Sequence, residues 1–154
     1  MKTLETKQAT NDVLVDSMNG FLADLQIFYQ NLRGFHWNVQ GTLFFVLHAK
    51  FEEYYNATAE TVDEVAERIL MIGGQPTHAF SQYIQMSDIP EVTDVHDGKE
   101  AVTVVLEQSN VLLSKMKQLL EKASENNDET TATLFSDMIG ATEKRIWMLK
   151  TFLN

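Results

Sequence analysis

From Leu14 the apolar side chains fall at Leu14, Met18, Phe21, Leu25, Phe28, Leu32, Phe35 and Val39, in steps that alternate four and three. A half-buried strand needs alternation every second residue. This spacing instead lays one apolar stripe along one face of a helix, the seam by which helices pack into bundles. Gly41 interrupts the stripe, and Thr42 is expected to N-cap a second helix. The pattern resumes through Phe44, Leu47, Phe51, Tyr54, Thr58, Val62, Val65, Ile69 and Ile72, until Gly73, Gly74 and Pro76 stop it. A third stripe holds Val102, Val105, Ser109, Leu112, Met116 and Leu119, behind Asp97 and Glu100 spaced as an acidic capping box. A polar break at 125–128 separates it from a fourth, with Phe135, Met138, Thr142, Ile146, Leu149 and Phe152.

Residues 75–96 carry both prolines and mixed polarity, which predicts a long crossover with a short helix near Phe80–Met86. Four long helices with one long crossover between the second and third make an all-α, ferritin-like four-helix bundle. The length, 154 residues, suits a single domain over 1–154 with a sizeable core.

The charge balance, 12 basic against 22 acidic residues for a net of −10, argues against a general nucleic-acid binder and suits metal cations or simply solubility. Cysteine is absent, which excludes disulfides and thiolate metal sites. No apolar run approaches a membrane span, and the opening residues lack the apolar core of a signal peptide, so a cytoplasmic protein is expected.

The chemistry concentrates at the first two helices. His36 lies just before the break at Gly41 and His48 just after it, so an antiparallel hairpin sets them at similar height. Glu52 is one turn beyond His48, while Asp63 and Glu67 lie further along the same helix. At ~1.5 Å rise per residue His48 and Asp63 are about 22 Å apart, too far for one ion. Their net rotation is only about 60°, however, so His48, Glu52, Asp63 and Glu67 share a face. A second copy laid antiparallel across a two-fold axis would bring His48 of one chain to Asp63 of the other, which suggests a metal site shared between subunits. Acids spaced i, i+4 are by themselves an ordinary solvated face; co-facing with a histidine separates these. Mixed nitrogen and oxygen donors suit Fe(II), Zn(II) or Mn(II). A site inside the bundle, built on Glu-x-x-His, is not expected. The positions three before His36, His48, His78 and His96 hold Arg33, Phe45, Gln75 and Thr93.

Phe35-His36-Trp37-Asn38-Val39, Leu47-His48-Ala49-Lys50-Phe51-Glu52-Glu53 and Asp63-Glu64-Val65-Ala66-Glu67-Arg68-Ile69 together resemble the ferroxidase signature of the Dps proteins, or mini-ferritins. Gly73-Gly74-Gln75-Pro76 and Trp147-Met148-Leu149 extend the resemblance over essentially the whole chain. The resemblance implies a hollow homododecamer with ferroxidase centres at its two-fold interfaces. His36, His48 and Glu52 would come from one subunit, Asp63 and Glu67 from its partner. It implies oxidation of Fe(II), preferentially by hydrogen peroxide, and storage of a ferric mineral, with zinc as an alternative occupant of the same donors.

Two departures stand out. DNA-binding members often carry a basic tail, whereas this N-terminus has only Lys2 and Lys7, offset by Glu5 and Asp12, so direct DNA binding is disfavoured. Members also line iron-access pores with acids near the last helix. Asp128 is the candidate here, with Glu129 and Asp137 nearby and Ala132 where some members have another acid. His78 and His96 read as surface residues.

Overall fold

The computed structural model describes residues 3–154. Its helices are α1 (Leu4–Asn38), α2 (Phe44–Met71), α3 (Phe80–Met86), α4 (Gly98–Glu125) and α5 (Glu129–Leu153). Among the described residues there is no strand, only a single bridge between Gln40 and Asp97. The four apolar stripes meet in one core, where Phe21, Phe28, Phe51 and Phe135 are the largest fully buried side chains.

Cross-helix pairs give the topology. Phe35 meets Phe51 and Tyr29 meets Tyr55, each with ring centroids 5.8 Å apart, so α2 runs back along α1. Lys115 pairs with Asp24 and Lys122 donates to Ser17, which sets α4 antiparallel to α1 as well. Arg145 donates to Ser109 and Thr142 to Met116, which returns α5 along α4. Because α2 and α4 point the same way, the chain between them must travel the length of the bundle.

A row of polar residues on α1 guides it. Asn11 donates to the carbonyl of Ile72, Asn19 clasps Gln75 and Thr77, Asp24 accepts from Ser87 and Asp88, and Asn31 bridges Pro90 and Val92. Asn19, Asp24 and Asn31 are buried, so these bonds satisfy groups that would otherwise be stranded away from water. The crossover thus climbs α1 from one end to the other, carrying α3 on its outer side.

Helix ends obey local chemistry. α1 begins at Leu4, well before its apolar seam, with Thr3 Oγ1 accepting from the Thr6 amide. Thr42 does not cap α2: the cap residue is Leu43, without a side-chain bond, because Gly41 at φ +97° turns the chain one position later. At the far end Gly73 takes φ +90°, and the amides of Gly73 and Gly74 bond Leu70 and Ile69, a Schellman closure. Asp97 caps α4 as its spacing predicts, accepting from the Glu100 amide at 2.9 Å.

Candidate metal centre

The α1–α2 hairpin brings His36 and His48 into direct contact. Their rings stack with centroids 3.8 Å apart and 11° between planes. His36 Nδ1 lies 2.6 Å from the His48 carbonyl oxygen, and His48 Nδ1 lies 2.8 Å from that of His36. A carbonyl can only accept, so each Nδ1 carries a proton and donates it. In the neutral imidazole the lone pair is then on Nε2, the form that binds a metal. Neither Nε2 has a protein partner among the described residues.

Aromatic side chains enclose the pair. Phe44 stacks on the other side of His48 at 4.9 Å, and Tyr55 sets its ring edge-on to His36 at 5.3 Å. The Tyr55 hydroxyl donates to Glu52 Oε1 at 3.3 Å, which steadies the carboxylate one turn from His48. Sequence reasoning misses Tyr55; its one signal is a position three residues after Glu52 on the same helix. Burial and the Glu52 carboxylate together hold its phenol above the usual range. Trp37 beside His36 is exposed, with the Arg33 guanidinium 4.8 Å from its ring centroid.

Asp63 and Glu67 lie exposed about three and four turns beyond Glu52 on α2. Neither has an ion-pair partner among the described residues. No group of three or more His, Asp or Glu side chains converges within the chain among the described residues. One copy therefore holds two separate groups of donors: His36 of α1 with His48 and Glu52 of α2, and Asp63 with Glu67 further along α2.

The bundle interior holds a cation of its own. Arg145 reaches inward from α5, its guanidinium carbon 5.2 Å from the Phe28 ring centroid and 5.8 Å from that of Tyr54, with Nε donating to Ser109 at 3.1 Å. A positive charge at that place opposes a metal cation beside it.

Asp128 is engaged structurally. Its oxygens accept from the Thr131 amide at 3.0 Å, from the Thr131 hydroxyl, and from Arg68 at 3.2 Å. Asp128 is thus the N-cap of α5 and is tied to α2 through Arg68. His78 and His96 are exposed and bond the carbonyls of Pro76 in the crossover and of Asn38 at the end of α1. Among the described residues no helix is long and apolar enough to cross a membrane.

Residues 15–154 match the ferritin-like domain family. A Haemophilus influenzae protein of unassigned function is 45% identical over 137 residues, covering 89% of this chain and 86% of that one. The DNA protection during starvation protein of Porphyromonas gingivalis is 39% identical over 139 residues, covering 90% and 87%. The crystal structure of the Dps protein from Vibrio cholerae, described as a member of the ferritin-like diiron-carboxylate superfamily, superposes with a TM-score of 0.93. It shares 42% identity, with 95% of this chain and 92% of that one covered.

Proposed function

The chain belongs to the ferritin-like domain family, among the Dps proteins, and from that premise we propose that it oxidises Fe(II) and stores the ferric product, protecting the cell against oxidative damage. The reaction consumes two Fe(II) and one hydrogen peroxide and yields two Fe(III) and two hydroxides. Peroxide is thus reduced by two electrons and releases no hydroxyl radical.

The observation that carries this reading is the reciprocal bonding of His36 and His48, which ties up both Nδ1 atoms and leaves both Nε2 atoms without a protein partner among the described residues. With Glu52 they make the imidazole-rich half of a site for Fe(II), and Asp63 and Glu67 of a second copy supply the carboxylates that suit the harder ferric product. Iron is substrate and cargo in this scheme, and Zn(II) competes for the same donors. Tyr55 orients Glu52 and shields His36, while Phe44 keeps water from the outer face of His48.

Assembly into a closed cage of twelve copies completes the reading. Phe45, Phe80 and Trp37 are 82%, 81% and 55% exposed in the isolated chain, Trp37 and Phe45 at the hairpin end that carries the histidines and Phe80 on α3 of the crossover. Apolar surface of that kind beside an incomplete site favours burial against another copy. The net charge of −10 favours protection by iron removal over direct DNA binding.

The test is anaerobic loading with Fe(II) and then peroxide, with ferric absorbance as the readout. Saturable Fe(II) binding and oxidation far faster than in buffer is expected. A wild-type rate equal to that of buffer would remove the enzymatic reading, and a salt-dependent shift of duplex DNA would then favour the second reading, a non-specific DNA-binding, nucleoid-compacting protein with secondary iron chemistry.

A further inference from the structure

Arg145 is a half-buried charge that the metal chemistry leaves without a task. Its guanidinium sits between Phe28 of α1, Tyr54 of α2 and Ser109 of α4. Only Nε has a protein acceptor, and no carboxylate pairs with it among the described residues. Burial draws its pKa down to about 10, so it remains charged at neutral pH. A half-buried guanidinium held in no ion pair among the described residues has donors to offer an anion.

A cavity of about 270 Å³ opens beside it between α2 and α5. Thr58, Thr61 and Thr142 line it, together with the carboxylates of Glu64 and Asp137. The threonine hydroxyls already donate to the Tyr54 carbonyl, the Ala57 carbonyl and Met116 sulfur, so towards the cavity their oxygens can only accept. The wall therefore holds one cationic donor, Arg145, whose two amino groups have no protein acceptor among the described residues, together with a set of acceptors.

We propose that this cavity binds a small oxyanion that carries both bare oxygens and a hydroxyl, the phosphate class. Two bare oxygens match the planar fork of Arg145. The P–OH group, present on both forms of phosphate at neutral pH, donates to a threonine oxygen or to Glu64 or Asp137. Sulfate has the same size and no hydroxyl, so the acidic wall repels it without compensation. The acids thus act as a filter against fully deprotonated anions and keep the affinity for phosphate moderate. This site is independent of the histidine centre and of iron.

The experiment is calorimetric titration of the iron-free full-length protein with inorganic phosphate and, separately, with sulfate. The expected result is saturable phosphate binding at one site per chain, with sulfate at least about tenfold weaker. Arg145→Met should abolish the phosphate signal; a half-buried, unpaired charge exchanged for an apolar side chain of similar length is commonly tolerated by the fold. In the doubly neutral Glu64→Gln, Asp137→Asn protein, sulfate should bind comparably to phosphate. No saturable phosphate binding in the wild type, or equal affinity for the two anions, would overturn the proposal, and neither result depends on a variant folding. Phosphate binding that survives Arg145→Met would overturn it as well.

Discussion

His36 and His48 hold one another through their backbones, each Nδ1 donating to the other residue's carbonyl at 2.6 and 2.8 Å. The acceptor for each ring is a main-chain atom, so it survives substitution of the other side chain. The hairpin backbone therefore fixes the tautomer of both imidazoles, a task that metal sites commonly give to a carboxylate behind the ligand.

Accordingly, His48→Ala should leave His36 anchored and the fold intact. Fe(II) oxidation by peroxide is expected to fall at least about tenfold, in the range usual when a metal site loses a ligand or its support. Circular dichroism and the melting temperature should stay close to wild type. A variant that melts early would instead assign the pair a structural role.

If the centre is shared, defects in its two halves should complement one another. His48→Ala supplies intact Asp63 and Glu67, and a chain with Asp63→Asn and Glu67→Gln supplies intact histidines. In a randomly mixed assembly half of the two-fold pairs are mixed, and each such pair holds one complete site, so about a quarter of wild-type activity should return. Stopped-flow absorbance on co-refolded protein reads this directly. Recovery no greater than the sum of the two inactive parents would place all ligands within one chain.

The fastening of the crossover makes a separate prediction. Asp24 is fully buried, and Lys115 pairs with it and, at 2.6 Å, with Asp88. Burial works against the ammonium, but the hydrogen bonds to both carboxylates outweigh it and raise its pKa above 10.5. A raised lysine pKa stabilises the fold below the unfolded value and loses that contribution as pH climbs through the folded one, so the link holds at neutral pH and fails above about 10.5. Lys115→Met leaves Asp24 charged and unpaired, which should cost about 3 kcal/mol, the low end for a broken buried pair because the lysine keeps some water. Asp88→Asn, at an exposed position, should cost less than about 1 kcal/mol. Urea midpoints of the two variants decide the matter.

The seam residues announce the bundle because their spacing reflects a demand repeated every turn, and Leu14 to Val39 are buried where that spacing puts them. Phe80–Met86 is legible for a related reason: a crossover that long needs local structure. The features that stay hidden depend on partners remote in sequence. Asn19, Asp24 and Asn31 interrupt nothing in the α1 stripe, yet they bind the crossover more than fifty residues away. Arg145 reads as a surface charge between Lys144 and Ile146 until α1, α2 and α4 close around it. The start of α1 at Leu4 has no apolar signature because those first turns bury almost nothing; the Thr3 cap and the absence of glycine and proline suffice. At the metal centre the candidate histidines can be read and their mutual anchoring cannot, since the acceptors are backbone atoms that every sequence possesses.

The last loop carries a prediction with a definite pH window. α4 ends at Glu125 with Asn126 as its cap, Asn127 takes φ +59°, and the amides of Asn127 and Asp128 bond Ser124 and Ala123, a second Schellman closure. Asp128 then caps α5 and pairs with Arg68 at the end of α2. Burial alone would raise its carboxyl pKa, but the bonds from Thr131 and the Arg68 charge prevail and lower it below 3.8. A lowered acid pKa stabilises the fold above the unfolded value and loses that contribution as pH falls through the folded one. Asp128→Ala should therefore cost about 1 kcal/mol, the usual worth of an N-cap, at neutral pH. That difference should persist down to the ordinary carboxyl value of 3.8 and shrink below it as the wild-type carboxylate takes up its proton. If the gap between the two proteins were constant down to about pH 2, beneath the range in which such a carboxylate titrates, side-chain packing rather than the ionised cap would be holding the loop.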